Sequence, residues 1–436
     1  MRQKNQRPTL AAALVIPSLA AVTVLAGCAA GGASGSTTED GEAVTITLAT
    51  ETRFGEDSAY EDVIKAFNES NDQNITVELQ EIPTEEYYKT IRTQFQAGNA
   101  PDVVWGSPGN GSFNALGPFA EAEQLVDLSN EDWATSSIPE SSHDLYYADD
   151  TLTAVPVDVA PISQVINLTA YASAGIEYAT TFDEVIDQCT EVRDQGLTSL
   201  LGLAGSQTSN TGLLAMELAA SNVYAQDPDW NQKRADGDVT FADSDGWQAA
   251  LEAVLTLKDE GCFQPGAEGG SPETVTPEFA AGKILGIFAP AGIAVNLATV
   301  APDSEISVGA FPGETEEETF LFASPSNALA INAASPHVDA AKALLEFWMQ
   351  PEQLEAFAEV SGNVSLTSIL NGTPVADRFA SLDAYLTDPS RNAPLPNLVW
   401  PNTEVYDALG TGVQGLITGQ TTVEQTLQAM DAAWQG

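Results

Sequence analysis

Apolar and polar positions alternate through Val44-Thr45-Ile46-Thr47-Leu48, the period of a strand with one face turned to a core. Ser58 and Glu61 then have the spacing of a capping box, and Val63, Ile64 and Phe67 share one helical face. A polar turn, Asn71-Asp72-Gln73-Asn74, separates that helix from a second alternating run at Ile75, Val77 and Leu79. Tyr87, Ile91 and Phe95 recur at every fourth residue and predict a helix from about Glu85 to Gln96. Gly98 stops it, and Asp102-Val103-Val104-Trp105 reads as a third strand. Strands alternating with helices predict an α/β class with a mainly parallel sheet covered on both faces.

Further along, Val155-Pro156-Val157-Asp158 and Ile162 to Asn167 read as extended. Thr181 and Glu184 box a helix with Val185 and Ile186 on its inner side. Another helix runs from about Gly246 to Glu260 and ends at Gly261. Lys283 to Phe288 and Ala328 to Ile331 read as strands, the latter leading to a helix begun by Ser335-Pro336. Thr421 with Glu424 boxes the last helix, and the acidic run Glu314-Thr315-Glu316-Glu317-Glu318 reads as a solvated loop. At 436 residues the chain is about three times the ~150-residue length of one domain, so two domains are expected.

Charge narrows the partners. The chain carries 62 Asp and Glu against 15 Lys and Arg, a net charge of −47. Nucleic acid is excluded as a partner, because phosphate binding needs a basic face, and polyanionic ligands are disfavoured. At the N-terminus Arg2, Lys4 and Arg7 precede an uncharged stretch whose apolar part, Leu10 to Ala26, is short and broken by Pro17. That is the form of a signal peptide over residues 1–27, not a membrane span. Leu25-Ala26-Gly27-Cys28 resembles the lipobox of bacterial lipoproteins. The resemblance implies cleavage before Cys28, acylation of its thiol, and anchoring to the outer face of the cell membrane. Residues 28–40 are then a flexible tether. In an oxidising compartment Cys189 and Cys262 are either bridged, the expectation adopted, or two buried free thiols. They do not make a metal site, since no histidine lies near either in sequence.

Five segments then carry a resemblance. Ala97-Gly98-Asn99-Ala100-Pro101-Asp102-Val103-Val104 resembles a signature of the sugar-binding extracellular solute-binding proteins of ABC importers. So do Val155-Pro156-Val157-Asp158 with Asn167 and Ala174-Gly175-Ile176, and Phe279-Ala280-Ala281-Gly282-Lys283 before a strand and Pro290. Ile331-Asn332-Ala333-Ala334-Ser335-Pro336 and the segment Gly419 to Leu427 are similar to maltose-binding proteins. The resemblance implies two α/β lobes of the periplasmic-binding-protein type, joined by three chain crossings, with the ligand cleft between them. The crossings are expected near Val155–Asp158, Pro277–Lys283 and Ala323–Ala330. Lobe 1 is then residues 41–155 and 279–325, and lobe 2 is 156–278 and 326–436.

Sugars present apolar CH faces to aromatic rings and hydroxyl edges to polar side chains. Ligands in open α/β sheets sit beyond the C-terminal ends of strands. That points to Glu51, Arg53 and Phe54 after the first strand, and to Trp105, Ser107 and Asn110 after the third. Trp105 either stacks on sugar or packs the core. The resemblance implies a polar ligand contact at Asp158, against a purely local hydrogen bond, and ligand contacts at Ser326 and Asn327. It also implies that Trp400 is a stacking platform, with Tyr224 and Trp230 as further candidates and Trp247 packing its helix. Ala291-Gly292-Ile293 lacks the aromatic that relatives carry there, which weakens a maltose-specific assignment. The implied function is a lipid-anchored, monomeric receptor that captures a neutral di- or oligosaccharide, α-glucosides first, and delivers it to ABC permease subunits. No cofactor or metal is implied. A lipid-anchored carbohydrate-active hydrolase is the alternative, but no nucleophile elbow, P-loop or H-E-x-x-H motif is present.

Overall fold

The computed structural model describes residues 43–52, 57–148 and 150–435. The expected signal peptide, tether and lipidated Cys28, together with Arg53 and Phe54, lie outside the described residues. In chain order the strands are β1 (Val44–Thr52), β2 (Ile75–Pro83), β3 (Val103–Gly106), β4 (Tyr147–Ala148), β5 (Thr151–Leu152), β6 (Ala154–Pro156), β7 (Ala160–Asn167), β8 (Ser199–Gly202), β9 (Ile284–Pro290), β10 (Ile306–Gly309), β11 (Leu321–Ser324), β12 (Ala328–Ile331) and β13 (Asn392–Ala393). The first sheet runs β2-β1-β3-β12-β6, and the second runs β13-β11-β7-β9-β8 with β10 also on β7. Strands β4 and β5 form a separate hairpin.

The sheets are less parallel than the repetition predicts. β1 pairs parallel with β2 and β3, but β12 enters antiparallel between β3 and β6. In the second sheet β7 is antiparallel to β9, β10 and β11. β10 and β11 share one strand position: β10 covers Gln164 to Asn167 and β11 covers Ala160 to Ile162, with residues 310–320 leaving the sheet between them. That excursion carries the acidic run, whose residues Glu314 to Glu317 are exposed.

Sheet membership also departs from the expected lobes. β9, β10 and β11 all belong to the second sheet, so residues 284–324 lie with β7, not with the first sheet. β12 joins the first sheet, and the helix Pro351–Ser361 packs there through Phe357, whose ring lies 5.0 Å from Tyr60. The crossing expected at Pro277–Lys283 is not one. Pro277 lies inside the helix Pro272–Ala280, and Gly282 (φ 68°) ends the turn that leads into β9. Proline and glycine there punctuate a helix end within one lobe. The chain crosses instead at Val157–Val159, at Pro325–Asn327, and after Ser361 on its way to β13.

Several motif residues prove structural. Asp102 accepts from the Thr47 backbone N–H at 2.8 Å and from the Ser335 hydroxyl at 2.5 Å, tying β1 to the chain after β12. Asn167 caps the helix Leu168–Ala174 and donates to the Phe279 carbonyl. The last helix, Val423–Trp434, is boxed by Thr422 and Gln425, one residue beyond the expected pair; Thr421 instead donates to the Gly412 carbonyl. Glu184 closes its box on Thr180, one residue before the Thr181 cap.

In the second lobe Cys189 and Cys262 are joined by a disulfide across 73 residues. In the loop-entropy account a link of that span is worth about 4 kcal/mol. Beside it runs an aromatic core of Tyr224, Trp230, Phe241, Trp247 and Trp400, all buried. On the helix Thr208–Ala219, Glu217 is buried and lines a small cavity with Phe182, Phe311 and Pro312, and its Oε1 has no partner. Burial pushes its pKa up to about 8. The folded protein therefore holds a proton between about pH 4.5 and 8 that the unfolded chain releases. The stability this contributes is complete below that window and is lost as pH rises through it. Glu217→Gln should leave stability near pH 4.5 little changed and raise it by a few kcal/mol at pH 8. Denaturant midpoints across that range check the outcome, and a pH-independent difference would contradict it.

Candidate ligand cleft

The C-terminal ends of β1 and β3 lie side by side, as parallel pairing requires. Glu51 is buried at the end of β1. Trp105 is also buried, its ring 5.5 Å from Tyr87 in an edge-on contact. The Tyr87 hydroxyl donates to the Trp105 carbonyl and accepts from the Trp105 N–H, and burial holds its pKa well above the usual phenol range. Of the two roles open to Trp105, this arrangement is core packing.

After β3 the chain forms a compact loop. Ser107 is buried and donates to Asn114 Oδ1, which also accepts from Ser112. The backbone N–H groups of Asn110 and Gly111 then reach the second lobe, both donating to the Leu398 carbonyl at 3.0 and 3.2 Å. The approach is too close for side chains. A Cβ on Gly109 would stand 2.1 Å from that same oxygen, and one on Gly111 would stand 1.8 Å from the Asn397 carbonyl. The Asn110 side chain turns away and donates to Glu121. Buried Asn397 keeps an unpartnered Oδ1 beside this seam.

Trp400 follows the seam segment but does not face the cleft. It is 0 % exposed, its ring meets Phe241, Trp247 and Trp434, and its indole N–H donates to Asn231 Oδ1. Tyr224 and Trp230 lie in the same core, as does Trp247. The stacking surface expected from this group is therefore covered in this structure. Ser326 is half-buried at the second crossing. Asn327 donates to Asp158, which is 0 % exposed and also accepts from Ser361 and Asn363. Sequence reading missed Gly109, Gly111, Ser361 and Asn363. Only the run Gly106-Ser107-Pro108-Gly109-Asn110-Gly111, dense in small residues, carried a signal of close backbone approach.

The family of bacterial extracellular solute-binding proteins matches residues 52–355. The chain belongs to that family. Its fold is shared by a raffinose complex of the solute-binding protein RafE, at TM-score 0.72 and 19% identity over 89% of this chain and 98% of that one. A chitin oligosaccharide binding protein matches at TM-score 0.75 and 18% identity over 91% and 99%. A Bacillus licheniformis sugar transporter protein in complex with stachyose matches at 0.69 and 19% over 89% and 98%. Among curated proteins no significant sequence match was found. Among the described residues no helix is long and apolar enough to cross a membrane, and no group of three or more His, Cys, Asp or Glu is placed to hold a metal ion.

Two variants test this geometry. Trp400→Ala should cost about 3–5 kcal/mol of stability, as for other large core truncations, in denaturant unfolding of the ligand-free protein. Normal stability with lost sugar affinity would instead place the ring at the ligand. Gly111→Ala adds one methyl group where the lobes meet. It should enlarge the ligand-free protein in small-angle X-ray scattering without lowering its melting temperature, and unchanged scattering would show that the seam is not limiting.

Proposed function

We propose that this protein is the receptor of an ABC importer, capturing a neutral di- or oligosaccharide between its lobes and presenting the closed form to permease subunits. The observation that carries the reading is the seam at Leu398. Two backbone donors from the first lobe reach a carbonyl of the second, the kind of direct contact between lobes that closure over a ligand brings about. A ligand drives such closure only through its preference for the closed state. Family membership and the sugars named for three structural neighbours support the ligand class. A neutral ligand suits a chain of net charge −47, whose field repels anions.

α-Glucosides such as maltose, maltotriose and trehalose are the first class to test, followed by galactosyl oligosaccharides such as raffinose and stachyose. The polar groups proposed to meet sugar edges are Glu51 and Ser107 at the ends of β1 and β3, Ser326 on the second crossing, and Asn397 beside the seam. A lipid on Cys28 would hold the receptor, as a monomer, at the outer face of the membrane. A calorimetric screen of these sugars against the purified protein should give saturable binding to at least one without hydrolysis. The phosphate ester of that sugar should bind at least about tenfold more weakly, the gap narrowing with salt. Release of monosaccharides, or equal affinity for the phosphorylated form, would overturn the proposal.

A further inference from the structure

The buried carboxylate of Asp158 has a place in the fold that neither its burial nor its sequence context announces. It stands between β6 and β7, on the first crossing. Its Oδ1 accepts from the side-chain amide of Asn327 at 2.9 Å, and Asn327 lies on the second crossing, between β11 and β12. Its Oδ2 accepts from the amide of Asn363 at 2.8 Å and from the Ser361 hydroxyl at 3.3 Å, where the chain leaves the helix Pro351–Ser361 for its return to the second sheet. The first passage between the lobes thus carries a carboxylate that accepts donors from each of the other two.

Backbone bonds run alongside. The Val157 N–H donates to the Asn327 carbonyl at 3.0 Å, and Val159 and Val364 exchange two bonds at 2.9 Å. A turn at the end of β9 covers the group closely enough that a Cβ on Gly292 would stand 2.7 Å from Asn363 Oδ1. An ionised carboxylate is acceptor-only, so it can serve three donors arriving from two crossings. An amide would bring donors of its own against them.

We propose that Asp158 is the positioning residue of the hinge, the tie that makes three separate crossings bend as one. This rests on the lobe-closure reading above and assigns Asp158 to the hinge, not to the sugar. Without the tie, only the backbone bonds of Val157 and Val159 hold the crossings together, and the two halves of the Leu398 seam are held less firmly in their relation.

The test uses the full chain, ligand-free, and reads amide hydrogen exchange in peptides covering residues 155–165 and 358–366. Asp158→Ala should speed exchange in both at least tenfold while β1 stays as protected as in wild type, and should increase the radius of gyration. Asn363→Ala should reproduce the effect in milder form. It also keeps the test available if Asp158→Ala does not fold. The two changes together should be less than additive. Calorimetry with maltotriose and raffinose is the second arm. Unchanged hinge exchange in Asp158→Ala overturns the tie, and unchanged exchange with lost sugar affinity assigns Asp158 to the ligand instead. If wild type binds neither sugar, the sugar reading is in question, while the tie still stands or falls on exchange alone.

Discussion

Whenever the chain passes between the two sheets it leaves a hydrogen-bonded ladder, and its backbone groups must find partners in a place that excludes water. Much of the architecture follows from how that is met. Val157 and Val159 borrow partners from the other two crossings, and β12 begins directly after Asn327, so the second crossing is barely longer than a turn. Short, mutually bonded crossings hold the two lobes together, and one apolar cluster runs between them, from Val103 and Leu329 of the first sheet to Val165 and Leu321 of the second. Beyond the crossings they also meet at the backbone seam at Leu398.

The opening half of the first lobe was legible because its cause is local. Alternation at Val44 to Leu48 and at Ile75 to Leu79, and the four-residue recurrence of Tyr87, Ile91 and Phe95, act within a few residues of themselves. The second lobe was harder because its spine is non-local. β7 is buried along its whole length, and its partners β9, β10 and β11 lie more than a hundred residues further on. Nothing in the composition of residues 284–324 says which sheet receives them, and the proline and glycine punctuation at Pro277 and Gly282 marks a helix end as readily as a crossing.

The candidate site was legible by position more than by role. Ser107, Asn110, Asp158 and Asn327 do gather at strand ends and crossings, where the topology rule puts ligands. Their side chains, however, mostly bond to one another or to the framework. Trp400 shows why. An indole beside a cleft segment could face either way, and three neighbouring aromatics, together with Asn231 for its N–H, settle it inward. Those neighbours come from residues 231–247 and from the last helix, so the competition between core and cleft could not be weighed from Pro396-Asn397-Leu398-Val399-Trp400-Pro401 alone.

The split strand opposite β7 has a practical consequence. Because β10 and β11 each hold their own registers on β7, the excursion between them at residues 310–320 can change length or content without a slip in the sheet on either side. Its acidic tip is exposed and belongs to the second lobe. A dye or spin label placed at Thr315 would therefore travel with that lobe as a passive passenger. Paired with one on the exposed face of the helix Asp57–Ser70, it makes the molecule a ruler for its own bending.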